Sequence, residues 1–308
     1  MNTPILDGFL EATIRTATPL AYAAYGELIT ERSGVINIGI EGAIACGALA
    51  AFVAAQNLGP AGGFFVGGAA GAAVALVFAV FVLLARAQQI IVGAAVTMLG
   101  LGVSASVHGS LVMATGPSGH IETLRAIRIP VLSDLPVIGT ALFAQPVSTY
   151  LLYILIPLTG LIFYRTVGGI ALRAVGEHPA AAVAAGHSPA RIQFAAILTG
   201  GFLSGLGGAT LVVAQTGTFS DGMSAGRGFL AVAVVALGRW NPRGVAAGVL
   251  VFGAVGALQF LAQAMAWPVP YTLVLASPYV LTLAAMATVR GSRAAPAALG
   301  RTLENRMQ

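Results

Sequence analysis

Eight apolar runs, most of them near twenty residues long, follow one another along the chain at 35–56, 59–84, 90–113, 148–164, 193–214, 227–239, 245–265 and 270–289. The hydrocarbon core of a bilayer, about 30 Å thick, takes about 20 such residues to cross as a helix. Within that core every backbone N–H and C=O must be paired inside its own segment, which excludes open sheets. The short alternating segments of an outer-membrane barrel are absent. The fold class is all-α, a polytopic transmembrane helix bundle of about 8–10 spans. The sixth run is short, and is expected to be extended or tilted. A ninth candidate, 12–29, is weakened by Arg15, Pro19 and Glu27.

Charge supports the same reading. Only 8% of residues are charged, against about 25% in soluble domains, so most of the surface is expected to face membrane lipid. All fifteen basic residues are Arg, and the net charge is +5. They lie in separate short loops rather than on one stripe, so nucleic acid is not an expected partner. With the C-terminus placed in the cytoplasm and the spans alternating backwards, eleven Arg fall inside. Only Arg15, Arg125, Arg128 and Arg227 fall outside. The positive-inside rule favours that assignment, in a multi-pass cell (inner) membrane protein with an external N-terminus. Asp7, Glu11 and Arg15 interrupt any leader-like apolar core, so insertion is expected to rely on the spans.

Glycine is patterned at four-residue spacing in Gly63-Gly67-Gly71, Gly201-Gly205 and Gly244-Gly248. Such spacing lets helix backbones approach closely, within one subunit or across a dimer seam. The lone cysteine, Cys46, reads as a buried structural thiol.

The loop 165–192 holds the most sharply bracketed local element. Gly176 can end one helical turn. Pro179 suits the first position of another helix, and Pro179–Ala185 is nearly pure Ala, the best helix former. Gly186 supplies the stop, then Ser188 reads as an N-cap with Pro189 opening the next helix. A helix that short is marginal alone and persists only when packed against something. His178 and His187 flank it without a third ligand nearby, so they read as polar loop residues, and no metal or cofactor is expected.

The stretch LRAVGEHPAAAVAAG (172–186) resembles the cytoplasmic loop of permease subunits from ABC importers, in the branch for simple sugars, nucleosides and branched-chain amino acids. PLAYAAYGELITERSGVINIGIEGAIACGA (19–48) and GRGFLAVAVVALGRWNPRGVAAG (226–248) are similar to further signatures of that family, within its nucleoside-type group. The sequence departs at His178, where Asn is commoner, and at His187, where an apolar residue is. The resemblance implies one permease domain over 1–308 with a type II ABC importer-like fold. It implies a cytoplasmic coupling loop at 165–192, with Gly176, Glu177, His178, Pro179, Ala180, Ala181, Ala182 and Gly186 meeting an ABC ATPase subunit. It further implies a second permease subunit, commonly a related but non-identical chain, and an extracytoplasmic solute-binding protein. The stretch 114–147, which holds Pro117, Pro130, Pro136 and Pro146, either faces that protein or is an ordinary cap over the bundle. The tail 290–308 is polar, Arg-bearing and expected to be a flexible cytoplasmic extension.

Polar residues inside apolar runs are the candidates for a solute path. Glu41 lies ten residues past Glu31-Arg32, roughly 15 Å in at helical rise. A carboxylate at that depth must be paired, hydrated or neutralised. Gly34, Gly39 and Gly42 suggest an interrupted helix, which is tolerated where it lines a cavity. Asn37 and Glu41 either line that path or cap the break and tie it to a neighbour. His108 reads as an interior histidine or a solute ligand, and Gln259 and Gln263, one turn apart, as solute or interhelix partners. Trp267 and Tyr271, beside Pro268 and Pro270, read as an outer interfacial belt. Asn241-Pro242 between Arg239 and Arg243 marks a tight inner turn.

A P-loop needs Lys, and the chain has none. No other catalytic motif is present, so an enzyme is not expected. The leading expectation is an ABC importer permease for nucleosides or related simple sugars, energised by a separate ATPase. An ion-coupled secondary transporter, with Glu41 as its cation site, and a branched-chain amino acid permease are the alternatives.

Overall fold

The computed structural model describes residues 3–115, 119–136, 138–265, 267, 270–288 and 294–301. Pro117, Pro268, the Tyr271 side chain, Arg290, Arg293 and Arg306 lie outside the described residues. The chain runs α1 (Thr3–Arg32), α2 (Ile40–Ala79), α3 (Gln89–Thr115), β1 (Ala126–Arg128), α4 (Gly139–Phe143), β2 (Ala144–Pro146) and α5 (Val147–Arg165). It continues through α6 (Val167–Glu177), α7 (Pro179–Ala184), α8 (Pro189–Thr210), α9 (Arg227–Leu237), α10 (Pro242–Ala264) and α11 (Tyr271–Thr288). Strands β1 and β2 pair antiparallel, Ile127 opposite Gln145. They sit in the stretch between α3 and α5, and the bundle itself is helical.

Among the described residues, five helical stretches are long and apolar enough to cross a membrane, one of them the 45-residue Ile40–Leu84. That stretch is folded in two. Gly59 takes φ 70°, ψ 172° ahead of Pro60, and the arm after it returns along the first. A Cβ added to Gly63 would lie 2.6 Å from the Ala51 carbonyl oxygen, and one on Gly67 2.6 Å from that of Gly47. The second arm also meets α8: a Cβ on Gly201 would lie 2.7 Å from the Gly71 carbonyl, and one on Gly71 2.6 Å from the Gly205 Cα. The glycines at 63, 67, 71, 201 and 205 are thus consumed in packing within this chain. Gly244 and Gly248 do likewise, against Gly238 and Val234.

The weak candidate at 12–29 forms the centre of the bundle. Helix α1 is continuous through Pro19 for 30 residues, about 45 Å, and from Ala17 to Leu28 every residue is buried. Tyr22 donates to the Ser148 carbonyl at 2.6 Å and Tyr25 to that of Pro242 at 2.6 Å, pinning α1 to α5 and α10. A helix wrapped by protein can carry Thr, Tyr and Glu that lipid would reject. The outer helices show the reverse, with Ile91, Met98 and Leu99 of α3 and Ile154 and Leu161 of α5 exposed.

The sixth run departs from expectation. Helix α9 has only 11 residues, about 17 Å at 1.5 Å each, and cannot cross the bilayer core unaided. The turn-rich segment 217–226 precedes it, with left-handed Gly217, Gly222, Ala225 and Gly226. The run is therefore a half-helix entered through an irregular segment, not an extended or tilted span. Arg227, counted with the external residues from sequence, begins that half-helix inside the bundle. The tail also differs. Residues 294–301 fold back onto the protein, with Ala298 only 3% exposed.

Candidate functional site

Glu41 stands in the first turn of α2 and is 3% exposed. Its Oε1 accepts the Gly226 N–H at 2.8 Å and its Oε2 accepts the Gly228 N–H at 2.6 Å. Those are the cap and second positions of α9. Two helix N-termini, each carrying partial positive charge, converge on one carboxylate. The two amides satisfy its oxygens as in an anion-binding site. Close fit enforces the arrangement: a Cβ on Gly228 would lie 2.7 Å from the Glu41 Cα and 2.8 Å from its Oε2. From this clamp α9 leads to the Arg239-Trp240 turn, so the carboxylate lies about one α9 length, some 17 Å, from that end.

Asn37 sits behind the clamp. Its backbone N–H donates to Glu27 Oε1 at 2.9 Å, and its Oδ1 accepts the Gly39 N–H at 3.0 Å. These bonds fix the non-helical link 33–39 between α1 and α2 and feed it into the turn that carries Glu41.

Two further candidates reach the same irregular segment. His108 Nδ1 is 3.2 Å from Asp221 Oδ1, and its ring stands edge-on to Phe219, centroids 4.8 Å apart. Gln259 shares a cavity of about 120 Å³ with Arg227, Tyr279, Thr16 and Phe252, and its Nε2 donates to the Val274 carbonyl at 2.9 Å. Tyr279 donates to the Ala225 carbonyl at 3.1 Å, and the Arg227 guanidinium to those of Met223 and Ser224 at 2.9 and 3.1 Å. Small-molecule pockets usually span about 300–1,000 Å³, so this cavity is smaller than an ordinary ligand pocket. Gln263, a turn beyond Gln259, is exposed and does not line it.

At the end that carries Arg32 and Trp240, α6 and α7 form a separate element. His178, at φ −140° and ψ 81°, breaks the helix between them. Pro179 opens α7, and Gly186 stops it at φ 84°. Ser188 occupies the cap position of α8, but its side chain makes no capping bond. Pro179 and Ala182 are buried, whereas Ala180, Ala181 and Val183 are exposed. Val167, Ile170, Ala174, His178, Ala181 and His187 line a groove of about 360 Å³. Val167 is 77% exposed. The groove leaves this apolar surface uncovered within the chain. Among the described residues no group of three or more His, Cys, Asp or Glu could hold a metal ion.

This element is anchored to the bundle at Gly176 and Glu177. A side chain at Gly176 would run into the Arg32 carbonyl oxygen. Glu177 Oε1 lies 3.5 Å from an Arg32 guanidinium nitrogen, and Arg32 Nε donates to the Trp240 carbonyl at 2.7 Å. The Trp240 indole in turn donates to Glu31. These bonds hold Arg239 and Trp240 at positive φ, 54° and 53°. Asn241 then caps α10, its Oδ1 accepting the Arg243 N–H at 3.0 Å.

Sequence reasoning did not select Arg227, Asp221 or Tyr279. The density of glycine around 217–228 and an Arg opening an apolar run were signals available for the first of them. The pairing of Asp221 with His108 spans 113 positions and left no local trace.

Residues 9–286 match the family described as branched-chain amino acid transport system / permease component. The chain is 32% identical to the guanosine ABC transporter permease protein NupQ of Bacillus subtilis over 96% of both chains. It is 31% identical to the nucleoside ABC transporter permease protein NupC of Lactococcus lactis over 92% of both. A putative glucose ABC transporter permease protein, TsgC13 of Haloferax volcanii, is 36% identical over 84% of this chain and 78% of its own length. No solved structure matches. With a family match over most of its length and a polytopic helical bundle to carry it, the chain belongs to the ABC transporter permease family of the branched-chain amino acid transport type.

Proposed function

We propose that this chain is the permease subunit of an importer for nucleosides or related simple sugars, driven by a separate ATPase that docks on α6 and α7. The observation that carries the solute class is likeness along nearly the whole length to permeases named for guanosine and nucleosides. The groove between α6 and α7, apolar and open, supports the docking. On this reading loop 165–192 and the tail are cytoplasmic. A second permease, related but not identical, completes the pathway, and a solute-binding protein delivers to the opposite face. The solute passes beside segment 217–228, where Glu41, His108 and Gln259 converge. The narrow cavity there must widen for passage, as the Glu41 clamp releases α9. Asn37 braces the link behind the clamp, and Gln263 stands at the exposed end of α10.

The test is uptake of tritiated guanosine into vesicles holding the transporter assembled with its partners, with residues 179–185 native or replaced by a Gly/Ser linker. ATP-dependent uptake by the native chain and none by the linker variant, with equal insertion, is the expected result. Normal uptake by the linker variant, or uptake by this chain alone under an ion gradient, would overturn the reading. Glucose competing where nucleosides do not would move the solute class to sugars.

A further inference from the structure

Residues 294–301 spend their backbone groups on three other parts of the molecule. The Ala298 N–H donates to the Gly176 carbonyl at 2.9 Å, one of the last-turn carbonyls of α6 that its own helix leaves unpaired. The Ala297 N–H reaches Glu177 Oε2 at 3.3 Å. The Gly300 N–H donates to the Gly34 carbonyl at 3.3 Å. The Arg301 carbonyl accepts from Gln89 Nε2 at 3.1 Å, and the Oε1 of Gln89 accepts the Ile36 N–H at 2.9 Å. Packing follows the same line. A Cβ on Gly34 would sit 3.5 Å from the Ala298 Cβ, and Gly300 turns through φ 74° against Ile36. Chain ends are loose unless tied down, and this segment is tied on both sides of one junction.

The junction is where α6 meets the link 33–39, and that link runs on into the turn carrying Glu41. We infer that residues 294–301 form a positioning strap that makes the α6–α7 element and the α1–α2 link move as one body. Displacement of α7 by a docked partner then reaches Asn37 and Glu41 instead of being absorbed at Gly176. The inference rests on the proposed reading of α6 and α7 as the ATPase contact.

The experiment uses the transporter purified from membranes through a tag on this chain and reconstituted into vesicles. ATP hydrolysis and tritiated guanosine uptake are measured on the same sample. The variants are a chain ending at residue 293, Ala298→Glu in the full-length chain, and the conservative Ala298→Ser. The first two are expected to assemble and hydrolyse ATP while uptake per ATP falls by about fivefold or more, the low end of ordinary coupling between sites. Ala298→Ser is expected to keep the native ratio. Should the shortened chain fail to insert, Ala298→Glu carries the test alone. An unchanged ratio in every assembled variant, or hydrolysis and uptake falling in proportion, would overturn the strap. Absence of ATP-dependent uptake in the native sample would instead strike the proposed function.

Discussion

The clamp at Glu41 and the element at α6–α7 are both built around a helix end, yet they are finished in opposite ways. At Glu41 the helix N-terminus is closed by a buried carboxylate, and glycine at 228 lets the two backbones touch. Around α7 the polar anchoring stops at Gly176 and Glu177, while Val167, Ile170 and Val183 remain uncovered. The first region is complete within this chain. On the proposed function the second is completed only by another chain. Stability should therefore be concentrated at the clamp and dependence on other proteins at α7.

Substitutions can break that contrast. Glu41→Ala should have the largest effect on the folded chain, since it strands the buried Gly228 N–H at about 1–3 kcal/mol and the half-buried Gly226 N–H at a smaller cost. A markedly lower thermal unfolding midpoint in detergent is expected, and an unchanged midpoint would remove the clamp from the stability account. Gly228→Ala should cost about 1–3 kcal/mol through overpacking against Glu41, read by the same melt. Glu177→Gln should barely move the melt. Its side chain is 43% exposed, and exposed ion pairs contribute about 1 kcal/mol or less. Its effect should appear instead in uptake per ATP, which sharpens the division between folding and coupling. Gln263→Ala, exposed and off the cavity, should stay within about 0.5 kcal/mol and leave uptake unchanged.

How much of this could be read beforehand depended on whether the determinant was local. Helix α7 was legible because Pro179 and Gly186 dictate backbone conformation where they stand, and the structure ends the helix within a residue of the expected Ala185. The glycine spacing was legible as close packing, but the choice of α8 as partner was not. Helix α1 was undervalued because hydropathy measures transfer into lipid, and α1 is surrounded by protein. The half-helix α9 looked like a short span because its support comes from Glu41, 185 positions away from Gly226. The strap escaped notice for another reason. It is held by backbone N–H groups that every sequence possesses, and its Ala, Pro and Gly composition resembles a loose end.

On the proposed function the two regions are joined, and force applied at α7 would release the Glu41 clamp. The Gly228 N–H, bonded to Glu41 Oε2 and lying in the first turn of α9 where no intrahelical partner exists, reports on it directly. Hydrogen exchange over 226–228 should be slow in the resting transporter and accelerate during ATP turnover. That acceleration should vanish in the variant whose residues 179–185 are a Gly/Ser linker. Equal protection at rest and during turnover in the native transporter would contradict the account.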